Sequence, residues 1–231
     1  MSLIFVMSFI ISTFAFATLP IQTNLIVFDS TEGKVLLKRS SNNAFWKLIP
    51  YFTTENGLTF CGIASGVMVL NALNIPPPST PDHAPYRIFE QDNFFTDSVL
   101  KIITPSEINM QGMSLEQLGE SIKTFGIKTK IIYGGDLAKN NFRKELINVI
   151  HSDNQYIIIN FHRKYLNEMG GGHFSPLAAY DEKTDRFLLL DVARYKYPPV
   201  WVKTDDLYRA IHLNEKGEVV NFRGYLVVNS V

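Results

Sequence analysis

Three residues carry the most chemical reach in this sequence: a lone cysteine, a histidine and an aspartate. Cys61 is the single cysteine among 231 residues. A thiolate forms acyl intermediates when a base stands beside it and a third group orients that base. Cys61 precedes Gly62-Ile63-Ala64-Ser65-Gly66-Val67-Met68-Val69-Leu70-Asn71-Ala72-Leu73, apolar on nearly all sides. It is therefore expected at the N-terminus of a buried central helix, where the positive end of the macrodipole favours an anion. His173, 112 residues later, is the expected base and acid, and an imidazolium beside the sulfur favours the attacking thiolate further. Asp191 is the expected orienter. A hairpin turn centred on Glu182 sets His173 and Asp191 directly opposite each other, with Cβ atoms about 5 Å apart. A one-residue slip would spoil that pairing.

Each part also has an ordinary reading. A cysteine opening a hydrophobic helix is often just a small buried residue. Gly170-Gly171-Gly172 reads equally as a flexible loop, and Asp191 as a strand-end residue capping a turn. The catalytic reading gains because all three ordinary readings would have to coincide.

The elements that must position these groups follow from pattern. A short apolar run covers 24–28, and a helix over 30–40 is capped by Ser30 or Thr31. The Cys61 helix stops at Asn74 and Pro76-Pro77-Pro78. A helix over 92–103 follows a loop-rich stretch, and Ser114-Leu115-Glu116-Gln117 is a capping box opening a helix that Gly126 ends. Strands are expected over 127–133, 155–161, 173–180, 186–192 and 223–228. Two further helices are expected, one capped by Asp136 and running to about 150, the other over 207–212. Helices thus fill the first half (about 29–126) and antiparallel strands dominate the second (about 127–231), an α+β layout in a single domain over 18–231.

Lysine plus arginine and aspartate plus glutamate both number 22, and 46% of residues are hydrophobic. The scattered basic residues give no footprint for nucleic acid. Residues 1–17 are uncharged and end in Ala15-Phe16-Ala17, the pattern of a cleaved signal peptide without the usual basic start; an uncleaved anchor and a buried N-terminal strand are the alternatives. A membrane span needs about 20 apolar residues, and Pro20, Gln22 and Asn24 come too early, so export without a stable membrane anchor is expected. A lone thiol in an oxidising compartment forms no internal disulfide, which raises the functional weight of Cys61.

The order of cysteine, histidine and orienter resembles that of papain-like enzymes, with Asp191 in place of the usual asparagine. Longer motifs narrow the resemblance. Phe60-Cys61-Gly62-Ile63-Ala64-Ser65, Gly172-His173-Phe174-Ser175-Pro176 and Leu190-Asp191-Val192-Ala193-Arg194-Tyr195-Lys196-Tyr197-Pro198-Pro199-Val200-Trp201-Val202 resemble the nucleophile, His and Asp segments of phytochelatin synthases, over about 25–228. The resemblance implies a papain-like fold and a glutathione γ-glutamylcysteinyltransferase that forms a γ-Glu-Cys thioester on Cys61. It implies Asn160, Gly172 and Arg223 as holders of the γ-glutamyl-cysteinyl group, and a guanidinium forks well onto a carboxylate. Implied partners are glutathione and metal–glutathione thiolates. The resemblance implies no tightly bound cofactor, with Cd2+ or Zn2+ as an activator through those thiolates. Related enzymes form dimers, although no apolar stripe marks the interface of a homodimer here. No counterpart of the cysteine-rich C-terminal region of plant members occurs in these residues, and members without it tend towards hydrolysis.

One departure stands out. Six residues before the cysteine the family resembles papain in carrying a glutamine that donates into the oxyanion hole; this chain has Glu55, followed by Asn56. Either Glu55 is protonated, or Asn56 swings in, or turnover is slower.

His151, His162 and His173 recur every eleven residues but map to no single face, and no C-x-x-C or H-x-x-x-H pattern occurs. No protein-bound metal is expected. Two alternatives stay open: a cysteine peptidase trimming leader peptides after Gly-Gly, and a non-catalytic binder of glutathione or metal thiolates.

Overall fold

A computed structural model describes residues 18–80 and 83–229. The expected signal segment, residues 1–17, lies outside the described residues. Among the described residues no helix is long and apolar enough to cross a membrane.

The first part of the chain is helical: α1 (Thr31–Arg39), α2 (Asn43–Leu48), α3 (Cys61–Ala72), α4 (Asp97–Leu100), α5 (Pro105–Gln111) and α6 (Leu115–Lys123). Ser30 caps α1, its hydroxyl accepting from the Gly33 N–H at 3.0 Å. Ser114 and Gln117 close a reciprocal capping box on α6. Every residue of α3 is buried, as its uniformly apolar pattern requires.

One sheet organises the rest. Its strands are β1 (Ile26–Val27), β2 (Lys128–Tyr133), β3 (Gln155–His162), β4 (Gly172–Asp181), β5 (Arg186–Leu189), β6 (Val200–Lys203) and β7 (Gly224–Asn229), in the spatial order β1-β6-β5-β4-β3-β7-β2. All neighbouring pairs are antiparallel. Two later helices, α7 (Lys139–Ile150) and α8 (Thr204–His212), pack on β3, while α3 packs on β4. Adjacent residues of β7 show that helices cover both faces. Tyr225 meets Phe142 of α7, whereas Leu226 meets Gly119 of α6, and successive strand residues point to opposite sides. Burial on both faces explains why β3, β4 and β5 are apolar almost throughout rather than alternating.

Several local expectations are corrected. The helix over 92–103 is reduced to the short α4, capped by Thr96. Asp136 does not cap α7; it lies in a 3-10 turn, and Ala138 precedes the helix without a side-chain cap. The strand expected over 186–192 stops at Leu189. Elements absent from the pattern reading are α2, β1, β6 and α5, although Thr104-Pro105-Ser106-Glu107 is a capping box with proline in the first turn.

The largest correction concerns the hairpin. Asp181 pairs with Arg186 and Ala179 with Leu188, so the turn is centred between Lys183 and Thr184 rather than on Glu182, and a bulge then shifts the register between Ala179 and Leu177. His173 and Asp191 are not cross-strand partners. Beyond Leu189 the chain keeps its course towards the start of β4, the Leu190 N–H donating to the Pro176 carbonyl at 3.0 Å, and Asp191 reaches His173 from just past the end of the ladder.

Candidate active site

Cys61 is the first residue of α3, and Phe60 before it offers no side-chain cap. The first N–H groups of the helix therefore have no partner from its own turn and stand free at the sulfur end. The ring of His173, second residue of β4, is buried edge-on against Phe161. Its Nε2–H donates to Asp191 Oδ1 at 2.9 Å, leaving Nδ1 as the ring nitrogen free for the cysteine. A ring nitrogen of His173, the Cys61 sulfur and a Glu55 carboxylate oxygen all lie within 4.8 Å of one another. The structure thus brings together the three residues on which the sequence reading centred.

Asp191 is held from four directions and is 0% exposed. Besides His173 it accepts from Arg163 Nη1 at 2.8 Å, Arg163 Nη2 at 3.0 Å and the Ala193 N–H at 2.9 Å. Burial alone would raise its pKa; the His173 and Arg163 cations and their hydrogen bonds hold it far below the ordinary carboxylate range. Burial alone would lower the His173 pKa, but Asp191 foremost, and then Cys61, hold it up to about 9.

Arg163 and its second partner are functional candidates that sequence reasoning missed. Arg163 follows β3 directly and also donates to the buried Glu168. Burial raises the Glu168 carboxyl to about 7 even against the neighbouring Arg163 charge. A signal existed: an arginine at the end of an apolar strand, just before a glycine-rich loop, must be paired if it is buried. What the sequence does not show is that its partner lies 28 residues away.

Glu55 faces the same centre from the loop before α3. It is 5% exposed, its Oε1 accepts from the Tyr195 hydroxyl at 2.6 Å, and its Oε2 is buried without a partner. Burial raises its pKa, opposed by the Tyr195 hydrogen bond and the His173 charge. Asn56 does not reach Cys61. Its N–H donates to Gln91 Oε1 at 2.8 Å and its Oδ1 accepts from Gln91 Nε2 at 3.0 Å. It lines a separate cavity of about 430 Å³ with Tyr51 and Phe89.

Cys61 lines a cavity of about 290 Å³ together with Met113, Asn160, Gly172, Phe174 and Arg223. All three residues expected to hold a substrate are therefore beside the sulfur. A Cβ at Gly172 would lie 2.6 Å from Arg223 Nη1, so any side chain there would push the tip of that guanidinium aside. Among the described residues no carboxylate pairs with Arg223, its buried Nε has no partner, and burial lowers its pKa. A desolvated guanidinium of this kind is a ready seat for an anionic group.

The other histidines disperse, as their spacing implied. His151 Nε2 lies 2.7 Å from Ser41 Oγ, and His162 Nε2 lies 3.2 Å from Glu215 Oε1.

Comparison with known proteins adds ancestry to this geometry. A family model described as phytochelatin synthase matches residues 16–225. Among curated proteins, the chain is 36% identical over 191 residues to glutathione gamma-glutamylcysteinyltransferase 2 of Arabidopsis thaliana, covering 80% of this chain and 41% of that protein. It is 32% identical over 211 residues to glutathione gamma-glutamylcysteinyltransferase 3 of Lotus japonicus, covering 89% and 42%. It is 30% identical over 207 residues to the glutathione gamma-glutamylcysteinyltransferase of Schizosaccharomyces pombe, covering 88% and 48%. The chain spans less than half the length of the curated relatives it matches.

Proposed function

The chain belongs to the phytochelatin synthase family, and from that premise we propose that it cleaves the Cys-Gly bond of glutathione by papain-like thiol catalysis. The observation that carries this reading is the meeting of Cys61, His173 and Asp191 beside a cavity that also holds Arg223. Cys61 thiolate attacks the carbonyl carbon of the Cys-Gly peptide. His173 gives its proton to the departing glycine amine, and a γ-Glu-Cys thioester remains on the sulfur. Asp191 keeps Nε2 protonated, so that Nδ1 faces the reacting atoms. Arg223 and Asn160 seat the γ-glutamyl end, where a carboxylate answers a guanidinium whose Nε has no partner.

The thioester is resolved by water, giving γ-glutamylcysteine, or by the amino group of a second glutathione, giving phytochelatin. A cavity of about 290 Å³ sits at the small end of ligand sites, which run from about 300 Å³. The cleft is partly open to solvent, so water has direct access to the thioester; water is the acceptor in this reading, and metal enters as a thiolate complex of the acceptor substrate.

Glu55 occupies the place where the family resemblance puts an amide donor. A carboxylate there donates nothing to the developing oxyanion, leaving the Cys61 N–H; loss of one such donor costs about 2.7–4 kcal/mol in the barrier.

Product analysis tests the proposal. Purified protein with glutathione is expected to release equal amounts of glycine and γ-glutamylcysteine, with little phytochelatin even when Cd2+ is present. Phytochelatin forming faster than γ-glutamylcysteine would overturn the hydrolytic assignment. Cys61→Ala is expected to abolish both products, and retained turnover would remove Cys61 as nucleophile. Cleavage of Gly-Gly leader peptides in preference to glutathione would instead identify a processing peptidase.

A further inference from the structure

Glu55, Cys61 and His173 come from three separate stretches of sequence, yet each presents one coordinating atom to a common point, within 4.8 Å of the other two, and all three side chains are buried. We propose that these three residues form a direct binding site for a thiophilic divalent cation, Cd2+ or Zn2+, which the protein fills without any help from glutathione.

The ligand set fits such an ion. A thiolate with an imidazole selects soft to borderline metals, and the carboxylate adds a negative charge. Bond lengths of about 2.0–2.3 Å around a tetrahedral ion put neighbouring ligand atoms about 3.3–3.7 Å apart. Closing from 4.8 Å therefore asks for shifts of about 1 Å, within the reach of side-chain rotation.

The surroundings are also those of a metal site. A coordinating histidine usually donates its other ring N–H to a carboxylate, which fixes the ring; here Nε2 is already held by Asp191 at 2.9 Å. Glu55 is arranged the same way, with Oε1 held by Tyr195 at 2.6 Å and Oε2 left free. That buried oxygen has no hydrogen-bond partner in the protein, and a buried carboxylate oxygen in that state calls for a donor or a cation. The nearby Arg163 cannot answer it, since its guanidinium is taken by Asp191 and Glu168. Three protein ligands leave a fourth position for water or an incoming thiol. Coordination replaces the proton shared by Cys61 and His173 and takes the sulfur out of reaction. On the proposed function above, the same metals then act in two ways: as a thiolate complex they are substrate, and as free ions they occlude the nucleophile.

The lone cysteine makes the test unambiguous, because any cadmium–thiolate absorption reports on Cys61 alone. Glutathione-free protein is titrated with Cd2+ and the ultraviolet charge-transfer band is followed. A band saturating at one equivalent is expected, together with protection of Cys61 from iodoacetamide, read by mass spectrometry. Glu55→Gln is expected to weaken Cd2+ affinity at least tenfold. Glu55→Asp, which withdraws the carboxylate, serves in the same direction should the glutamine variant fold poorly. Glu215→Gln, at the His162 pair on the surface, should leave affinity unchanged. Absence of the band, or equal affinities for wild type and both Glu55 variants, overturns the proposal. No substrate is present in this titration, so a failure of the glutathione reading would leave its result untouched.

Discussion

Asp191 and Glu55 bring two buried carboxylates to His173 within one site, but on unequal terms. Asp191, on the side of β3 and β4, accepts four hydrogen bonds, two of them from the forked guanidinium of Arg163. Glu55, in the loop before α3, accepts one and leaves an oxygen bare. A carboxylate saturated with donors is committed to orientation, since every lone pair that fixes it is spent inside the protein. One with a spare oxygen is available to something that is not protein. The difference separates the scaffold of the site from its working face.

The comparison breaks most readily on the Asp191 side. Asp191→Asn is expected to lower kcat by about 10³–10⁴, because His173 loses the acceptor that sets its tautomer. It also leaves Arg163 with half its buried partners, at a stability cost of about 3–5 kcal/mol. Arg163→Met removes the clamp without touching His173. A similar drop in stability is expected, read by denaturant unfolding, with a loss in kcat of only about tenfold. If Arg163→Met left stability unchanged, the four-donor arrangement would be ornament rather than support.

The Glu55 side is expected to respond with the opposite sign. Glu55→Gln keeps an oxygen for Tyr195 and puts an amide where the bare oxygen stood. Stability should change by less than about 1 kcal/mol, while kcat for glycine release rises about 10- to 100-fold as an oxyanion donor is restored. A destabilisation as large as that of Asp191→Asn would erase the distinction between the two carboxylates.

The smallest expected effect lies in the cavity. Gly172→Ala pushes a methyl group against Arg223 Nη1, and KM for glutathione is expected to rise about tenfold with kcat nearly unchanged, a signature of lost ground-state binding. A fall in kcat alone would place Arg223 with the chemistry and not with the grip.

Much of this site was legible in the sequence, and the illegible parts share a cause. Cys61 at the head of α3 follows from an apolar run with a stop signal, and the α6 capping box from its spacing; both are local rules. The register of the β4–β5 hairpin differs from the symmetric reading because its turn is centred between Lys183 and Thr184, and the bulge between Ala179 and Leu177 shifts it again; neither has a reliable sequence mark. His173 still reaches Asp191, by a path outside the ladder. Arg163 was passed over because its meaning depends on a partner brought to it by folding. Whether Glu55 or Asn56 faces Cys61 was decided by Gln91, 35 residues from Asn56, which ties the asparagine to the other side of the loop.

The connection between β3 and β4, residues 163–171, has a consequence for how this protein can change. Loops ordinarily absorb insertions and deletions at little cost. This one holds Arg163 against Asp191 at its first residue and delivers Gly172, the seat of Arg223, immediately after its last. Its length is therefore a shared variable of orientation and substrate grip. A single residue gained or lost here is expected to unsettle both at once, whereas the same change in an outer turn touches neither.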